Sequence, residues 1–109
     1  MTEGNDAYRW RASILSALAN PARLHIVDLL ASGGRTVGEL SEAVGLDIST
    51  VSRHLEKLRN AGLVRDRREG TKVYHTLATP CVLEFFGCVE KVLGGGECEA
   101  PRCGREAGR

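Results

Sequence analysis

The strongest constraint on the fold is a change of hydrophobic period between residues 37 and 77. Two segments of helical period, VGELSEAV and ISTVSRHLEKLRNA, are joined by the short turn Gly45-Leu46-Asp47. Directly after them, LVRDRREGTKVYHTL has the pattern of two strands around a tip at Arg68-Glu69-Gly70. Two helices at this spacing form a helix-turn-helix, and a hairpin that follows them forms a wing. The order of these elements predicts a mainly α winged helix-turn-helix fold with a β-hairpin wing.

Capping signals place the ends of the remaining helices. Asn20-Pro21 predicts an N-cap followed by proline at the first position of a second helix, PARLHIVDLLAS. Thr36 and Glu39 fit a capping box, Asp47 is expected to cap the fourth helix, and Thr79-Pro80 is expected to begin the last one. The second helix is expected to bury four apolar residues: Leu24, Ile26, Val27 and Leu30. Together these signals predict five helices.

The same pattern suggests one domain over residues 7–93, with its first helix at 7–19, and a flexible tail containing Gly and Cys over 94–109. No apolar run approaches the roughly 18 residues that a membrane span needs. The first residues are polar and lack the apolar region of a signal peptide. We therefore expect a cytoplasmic protein without a membrane partner. In that compartment four cysteines are metal ligands or redox groups rather than a disulfide framework.

Charge is distributed unevenly along the chain. The segment from Ile48 to His75 has seven basic and three acidic residues, a net charge of +4, which leaves −3 for the remainder of a chain whose total is +1. A basic patch of this kind on a near-neutral protein is typical of a nucleic-acid face. The helix that begins at Ile48 turns small hydroxyls and polar groups away from its apolar face, and such groups can approach base edges. We expect double-stranded DNA to contact eight residues of helix and wing: Ser49, Thr50, Ser52, Arg53, His54, Arg67, Arg68 and Lys72.

Residues from about 9 to 93 resemble the ArsR/SmtB family of winged-helix transcriptional repressors. The stretches that carry the resemblance are LANPARLHIVDLL, TVSRHLEKLRNAGLV and the wing VRDRREGTKVYHTL. The resemblance implies a homodimer built from the first and last helices and bound to an inverted-repeat operator. It also implies that a metal ion or another inducer weakens DNA binding. Matching positions imply DNA contacts from Ile48, Ser49, Ser52 and Arg53, although many relatives have glutamine where this chain has Ile48.

Two cysteines on the last helix, Cys81 and Cys88, lie seven residues apart and therefore on one stripe, which Phe85 shares. Small apolar residues pack well between helices, so packing is one explanation. Ligation of a soft ion is the other, and it is favoured because all four thiols follow the wing: Cys81, Cys88, Cys98 and Cys103.

Geometry limits how these thiols can ligate. Two helical turns separate the alpha carbons of Cys81 and Cys88 by roughly 10.5 Å along the axis. Two thiolates on one ion lie no further apart than about twice a metal–sulfur bond of ~2.3 Å. The pair therefore cannot share an ion within one straight helix. Three arrangements remain open: a partner's antiparallel last helix, unwinding near Pro80, or pairing with the tail cysteines.

The position of the thiols also bears on the resemblance. Some relatives sense metals through cysteines in the third helix or through histidines on the last helix, and this chain has neither. The thiols look most like those of arsenic-responsive members, whose cysteines lie on or after the last helix. This implies arsenite or antimonite, or another thiophilic ion, as an inducer held by three thiolates.

The same fold also suits other functions, among them a DNA-binding architectural protein that has no effector. A redox-responsive or persulfide-responsive repressor that uses the same cysteines is the alternative to a metalloid sensor. An enzyme is not expected, because no nucleophile–base pair, Gly-rich phosphate loop or carboxylate pair stands out in the sequence.

Overall fold

The computed structural model describes residues 3–95, with side chains from residue 6 onward. They belong to two compact units, one that ends at Thr79 and one that begins at Pro80. The elements follow the predicted order, with five helices and one antiparallel hairpin: α1 (Glu3–Leu18), α2 (Pro21–Leu30), α3 (Val37–Val44), α4 (Ile48–Asn60), β1 (Val64–Glu69), β2 (Lys72–Leu77) and α5 (Val82–Leu93). The predicted fold class is confirmed, while α1 begins at Glu3 rather than at Ala7. The predicted tail, residues 94–109, lies outside the described residues beyond Gly95.

The core of the first unit is formed where α2, α3 and α4 meet. Its most completely buried side chains are Ile26, Val27, Leu40, Val51, Leu55 and Leu58. Three of the four residues that α2 was expected to bury are buried, but Leu24 is 39% exposed. Leu24 lies two residues before Ile26 on a helix, so the two side chains point about 200° apart and both cannot face the same neighbours.

Two N-caps form as the sequence predicts. The Asn20 side chain accepts hydrogen bonds from the amides of Ala22 at 2.9 Å and Arg23 at 3.2 Å. In the capping box, the amide of Glu39 donates to Thr36 Oγ1 at 3.2 Å, and the amide of Thr36 donates to Glu39 Oε1 at 2.9 Å. These bonds satisfy amides that have no partner inside the helix.

The capping box provides a stability test. Substitution Thr36→Ala is expected to lower the free energy of unfolding by about 1 kcal/mol, because the amide of Glu39 loses its acceptor. Urea denaturation followed by circular dichroism measures this difference. The control is Glu42→Ala on the exposed face of the same helix, which takes no part in the box. Equal effects of the two substitutions would show that the box contributes nothing specific.

The predicted caps of α4 and α5 need correction. Asp47 occupies the N-cap position of α4, but its side chain caps no backbone amide. Thr79 does not cap α5, because its hydroxyl donates to the carbonyl of Gly62 at 3.1 Å. The preceding residue, Ala78, is likewise bonded to Leu63. The chain at Thr79 is therefore still held against the end of α4, and α5 begins at Val82 with Cys81 at its N-cap position.

The turn between α3 and α4 depends on Gly45. Its φ of 76° and ψ of 28° lie in the left-handed region, which glycine adopts without the steric cost of a side chain. Its amide donates to the carbonyl of Ser41 at 2.9 Å, and the Ser41 hydroxyl donates to the carbonyl of Leu46. These bonds turn the chain sharply from α3 into α4.

The wing, which we define as β1, β2 and their turn, has its tip at Gly70-Thr71, not at Arg68-Glu69-Gly70 as predicted. Glu69 pairs with Lys72, and Arg68 pairs with Val73 inside the ladder. The correction follows from Gly70, whose φ of 62° makes it a central residue of a two-residue hairpin turn.

The base of the wing is joined to the loop before α3. The amide of Arg35 donates to the carbonyl of His75 at 3.0 Å, and the amide of His75 donates to the carbonyl of Arg35 at 2.8 Å. A side chain at the neighbouring Gly34 would place its Cβ 3.0 Å from Thr76 Cγ2, which explains the glycine there. These bonds fix the position of the wing relative to the helices of the first unit.

Large apolar side chains are exposed on α1 and on α5. On α1, Trp10 is 72% exposed, and Tyr8 and Leu15 are also exposed. On α5, Phe85 and Leu93 are exposed, and no residue of the helix is buried. Within the described residues, no helix has the length and apolar character that crossing a membrane requires.

Candidate nucleic-acid interface

Helix α4 has two chemically different faces. Val51, Leu55 and Leu58 are buried in the core of the first unit. Ser49, Ser52 and Arg53, which are predicted DNA contacts, are exposed, and so is Ile48. Among the described residues, no carboxylate forms an ion pair with Arg53. The packing of the apolar face therefore leaves a polar, cationic surface at the beginning of α4.

Asp47 organises the first turn of α4. Its carboxylate accepts hydrogen bonds from the Ser49 hydroxyl and from Thr50 Oγ1, the latter at 2.6 Å. The hydroxyls of Ser49 and then Thr50 lower the pKa of Asp47 to about 2, because they stabilise its ionised form. Since both hydroxyl protons are given to Asp47, Ser49 and Thr50 would offer their oxygens as acceptors to a ligand.

His54 is a predicted DNA contact whose ring is engaged by another helix. It is half-buried, and its Nδ1 lies 3.1 Å from Nη1 of Arg23 on α2. Arginine is only a donor, so Nδ1 accepts the bond and the proton of the neutral ring is on Nε2. Desolvation lowers the pKa of His54, and the positive charges of Arg23, Arg53 and Lys57 lower it further. The contact of His54 with DNA stays a prediction.

The wing carries the other three predicted DNA contacts. Arg67 is engaged within the hairpin, because its Nε lies 3.3 Å from Glu69 Oε2 and its guanidinium lies 5.6 Å from the ring centre of Tyr74. Arg68 and Lys72 are exposed, and within residues 6–95 neither forms an ion pair. Lys72 borders the tip, and Arg68 lies one pair below it. Their contact with DNA stays a prediction.

Asp66 links α4 to both strands of the wing. Its Oδ1 lies 2.8 Å from Nδ1 of His75, which is only 8% exposed, and its Oδ2 lies 3.1 Å from Nη1 of Arg59. The sequence analysis did not predict this cluster, although the spacing of Asp66 and His75 around the turn indicates it. With a two-residue turn at Gly70-Thr71, the register places Asp66 directly opposite His75.

The Asp66 cluster can be tested by Asp66→Asn. We expect a loss of about 1 kcal/mol in the free energy of unfolding, and most of it comes from the weaker bond to buried His75. The exposed pair with Arg59 contributes little, because solvent screens it. Thermal denaturation of Asp66→Asn beside Arg59→Gln separates the two bonds. If Arg59→Gln is the more destabilising variant, the assignment to His75 is wrong.

The predicted metal ligands are only partly within the described residues. Cys81 is exposed at the N-cap position of α5, and Cys88 is half-buried on that helix. Cys98 and Cys103 lie outside the described residues. Among the described residues, no three His, Cys, Asp or Glu side chains are grouped so that they could hold a metal ion. The thiolate site therefore stays a prediction.

Comparison with known proteins gives a consistent result. Residues 20–66, which include α2 through the first half of β1, match the family model described as bacterial regulatory protein, arsR family. The chain is 40% identical over 92 residues to the HTH-type transcriptional regulator Rv0081 of Mycobacterium tuberculosis, covering 84% of this chain and 81% of that protein.

Two solved structures have the same fold. The homodimeric winged helix-turn-helix DNA-binding domain of Mb0332 from Mycobacterium bovis has a TM-score of 0.76 and 35% identity, covering 94% of each chain. NolR from Sinorhizobium fredii has a TM-score of 0.78 and 36% identity, covering 86% of this chain and 94% of that one. The helix-turn-helix, the wing and these likenesses agree: the chain is a transcriptional regulator of the ArsR family.

Proposed function

We propose that the protein is a homodimeric repressor that binds an inverted-repeat operator and releases it when a thiophilic ion binds its C-terminal thiolates. Arsenite and antimonite are the inducers that the cysteine pattern favours. The domain over residues 7–93 would bind DNA and dimerise, and the tail over 94–109 would supply further thiols. The observation that carries the DNA-binding part is the exposed face of α4, where Ser49, Ser52 and Arg53 lie opposite a buried apolar face.

Dimerisation is supported by the exposed apolar side chains of α1 and α5. Trp10 on α1 and Phe85, Val92 and Leu93 on α5 are all large and exposed. A second copy that covers this apolar surface would stabilise the dimer by roughly 25 cal/mol for each Å² removed from water. The homodimeric relative from Mycobacterium bovis has the same fold. A twofold dimer would present two copies of α4 to adjacent major grooves about one DNA turn apart.

Sensing is supported by the position of the thiols on a helix that would also form the dimer interface. Cys88 lies on α5, and Cys81 occupies the N-cap position of that helix, seven residues earlier. Soft thiolates select thiophilic ions such as trivalent arsenic. Two thiolates of one straight helix cannot reach one ion, so binding would recruit a thiolate from the tail or from the partner, or would unwind the chain near Pro80. Such recruitment would shift α5 and with it the spacing of the two DNA-binding heads.

The test is the response of operator affinity to arsenite. A duplex selected by the purified protein from a random library serves as operator, and fluorescence anisotropy gives Kd with and without arsenite or antimonite. Arsenite is expected to weaken binding about 5- to 150-fold, the range of typical allosteric couplings of ~1–3 kcal/mol. In Cys88→Ser the arsenite ratio, which is Kd with arsenite divided by Kd without it, is expected to approach one, because a ligand is lost.

A packing control separates ligation from a change in α5. Val92→Ser places the same hydroxyl group on the same stripe of α5 but removes no thiol. The arsenite ratio should persist in Val92→Ser, even if its basal affinity differs. An unchanged ratio in Cys88→Ser, or no release by arsenite, antimonite, cadmium or zinc, would contradict the sensing proposal and leave DNA binding standing.

A second candidate is a redox or persulfide sensor with the same thiols. It is supported by the exposure of Cys81, which leaves that thiol accessible to a polysulfide. One thiol would attack a polysulfide, break a sulfur–sulfur bond and keep one sulfur atom as a persulfide, while the shortened polysulfide leaves. A partner or tail thiol would then attack the persulfide, form a disulfide and release hydrogen sulfide. Mass spectrometry of the protein after polysulfide treatment would detect the added or bridged sulfur, which arsenite treatment does not produce.

A further inference from the structure

A cavity of about 280 Å³ lies between α1, α2 and α4. Its polar lining comes from Ser13, Ser16, Arg23, Lys57 and Asn60, and alanines complete its wall. Of the side chains that the structure describes, no carboxylate lines it. The lining therefore combines two positive charges with two hydroxyls and an amide, all of which can donate hydrogen bonds.

The two cations of the cavity are Arg23 and Lys57. Among the described residues, neither Arg23 nor Lys57 forms an ion pair with a carboxylate. Arg23 is held in place, because its Nε donates to the carbonyl of Ala17 at 2.5 Å and its Nη1 bonds to His54. These bonds use only part of the five N–H donors of the guanidinium, so the remaining donors are available to a ligand.

From this lining we infer that the cavity is a binding site for an oxyanion, a phosphate or carboxylate group. A fixed guanidinium with a nearby ammonium and hydroxyls provides charge-assisted hydrogen bonds of the kind that bind such groups. This site is separate from the proposed inducer site, because it contains no thiol and lies wholly within the first unit.

The environment of His54 agrees with an unneutralised positive field. Arg23 and Lys57, both from the cavity lining, contribute to the lowered pKa of His54 after desolvation. An anion bound between these two side chains would offset their charge and move the pKa of His54 upward. His54 is therefore an internal reporter for occupancy of the cavity.

Two sources could supply the oxyanion. One is a free small acid, which would make the cavity an effector site. The other is the phosphate backbone of DNA, because Lys57 lies one helical turn after the exposed Arg53 on α4. The two sources share the same recognition chemistry, and experiments with and without DNA distinguish them.

The first experiment titrates the full-length, ¹⁵N-labelled protein with inorganic phosphate at constant ionic strength, using chloride as compensating salt. Saturable amide shifts are expected at Ser13, Ser16 and Lys57, with an upward shift of the His54 titration midpoint. Lys57→Gln should weaken phosphate binding about tenfold, the loss expected when a hydrogen bond to a charged group is removed. Ser16→Asp should abolish it by placing a carboxylate in the cavity, and Lys91→Gln, an equal charge change on α5, should not.

The second experiment measures DNA affinity against salt concentration for wild type and Lys57→Gln. A phosphate of the backbone in the cavity would lower the salt slope by about 1 in Lys57→Gln, whereas a free acid would leave the slope unchanged. The inference is overturned only if both experiments fail. The phosphate experiment fails if the amide shifts do not saturate, or if Lys91→Gln reduces them as much as Lys57→Gln does. The DNA experiment fails if Lys57→Gln leaves the salt slope unchanged.

Discussion

Substitution of Leu55 by alanine is expected to lower the free energy of unfolding by about 2–5 kcal/mol. Leu55 is 1% exposed and lies between Val51 and Leu58 on the buried face of α4. Removing its side chain leaves a cavity that the neighbouring helices fill only in part, so both the lost burial and the lost contacts contribute. Urea denaturation followed by circular dichroism, analysed as a two-state transition, gives the difference.

The matched control for Leu55 lies on the opposite face of the same helix. Ser52→Ala removes an exposed hydroxyl and should change the free energy of unfolding by no more than about 0.5 kcal/mol. If the proposed function is right, Ser52→Ala weakens DNA binding instead. Comparable destabilisation by the two substitutions would mean that α4 does not bury the face assigned to it.

Local sequence signals predicted the elements that depend on neighbouring residues. The helical spacing of Val51, Leu55 and Leu58 identified the buried face of α4 because an α-helix repeats every 3.6 residues. The cap at Asn20 and the capping box at Thr36 were predictable for the same reason, since both bond only within the first turn.

Contacts between distant segments were not predictable in this way. Thr79 has the sequence of a cap, but Gly62, seventeen residues earlier, takes its hydroxyl. The bonds between Arg35 and His75 likewise join segments whose closeness depends on the packing of the whole unit. No local pattern contains that information, so the beginning of α5 and the anchoring of the wing required the structure.

The same distinction between local signals and distant contacts applies to the candidate site. The basic segment and the exposed face of α4 follow from charge and period, and the structure places Ser52 and Arg53 on that face. The partners of polar side chains do not follow from period. Asp47 binds neighbouring hydroxyls instead of an amide, and His54 turns to Arg23 on another helix. The sequence therefore predicted which face of α4 is exposed and polar, but not the hydrogen bonds that orient its side chains.

Substitution of Arg53 by alanine is expected to weaken operator binding about 10- to 100-fold, equivalent to ~1–3 kcal/mol. Arg53 is exposed on α4, and the described residues provide it with no carboxylate partner. Its guanidinium is therefore available for a charge-assisted bond to a base edge or to a phosphate. Fluorescence anisotropy with the selected operator, at one fixed salt concentration, measures the loss.

Two comparisons decide what Arg53 contacts. Arg59→Ala removes the same charge from the same helix, but Arg59 is held by Asp66 at 3.1 Å, so its loss should weaken operator binding far less. A base contact would make Arg53→Ala lose affinity for the operator and not for random duplex, because non-specific binding depends on phosphates. If Arg53 contacts a phosphate, Arg53→Ala would bind both duplexes more weakly, by the same factor, and its salt slope would fall by about 1. Unchanged affinity for both duplexes would mean that the exposed face of α4 does not contact DNA at Arg53, and that the interface must be sought on the wing.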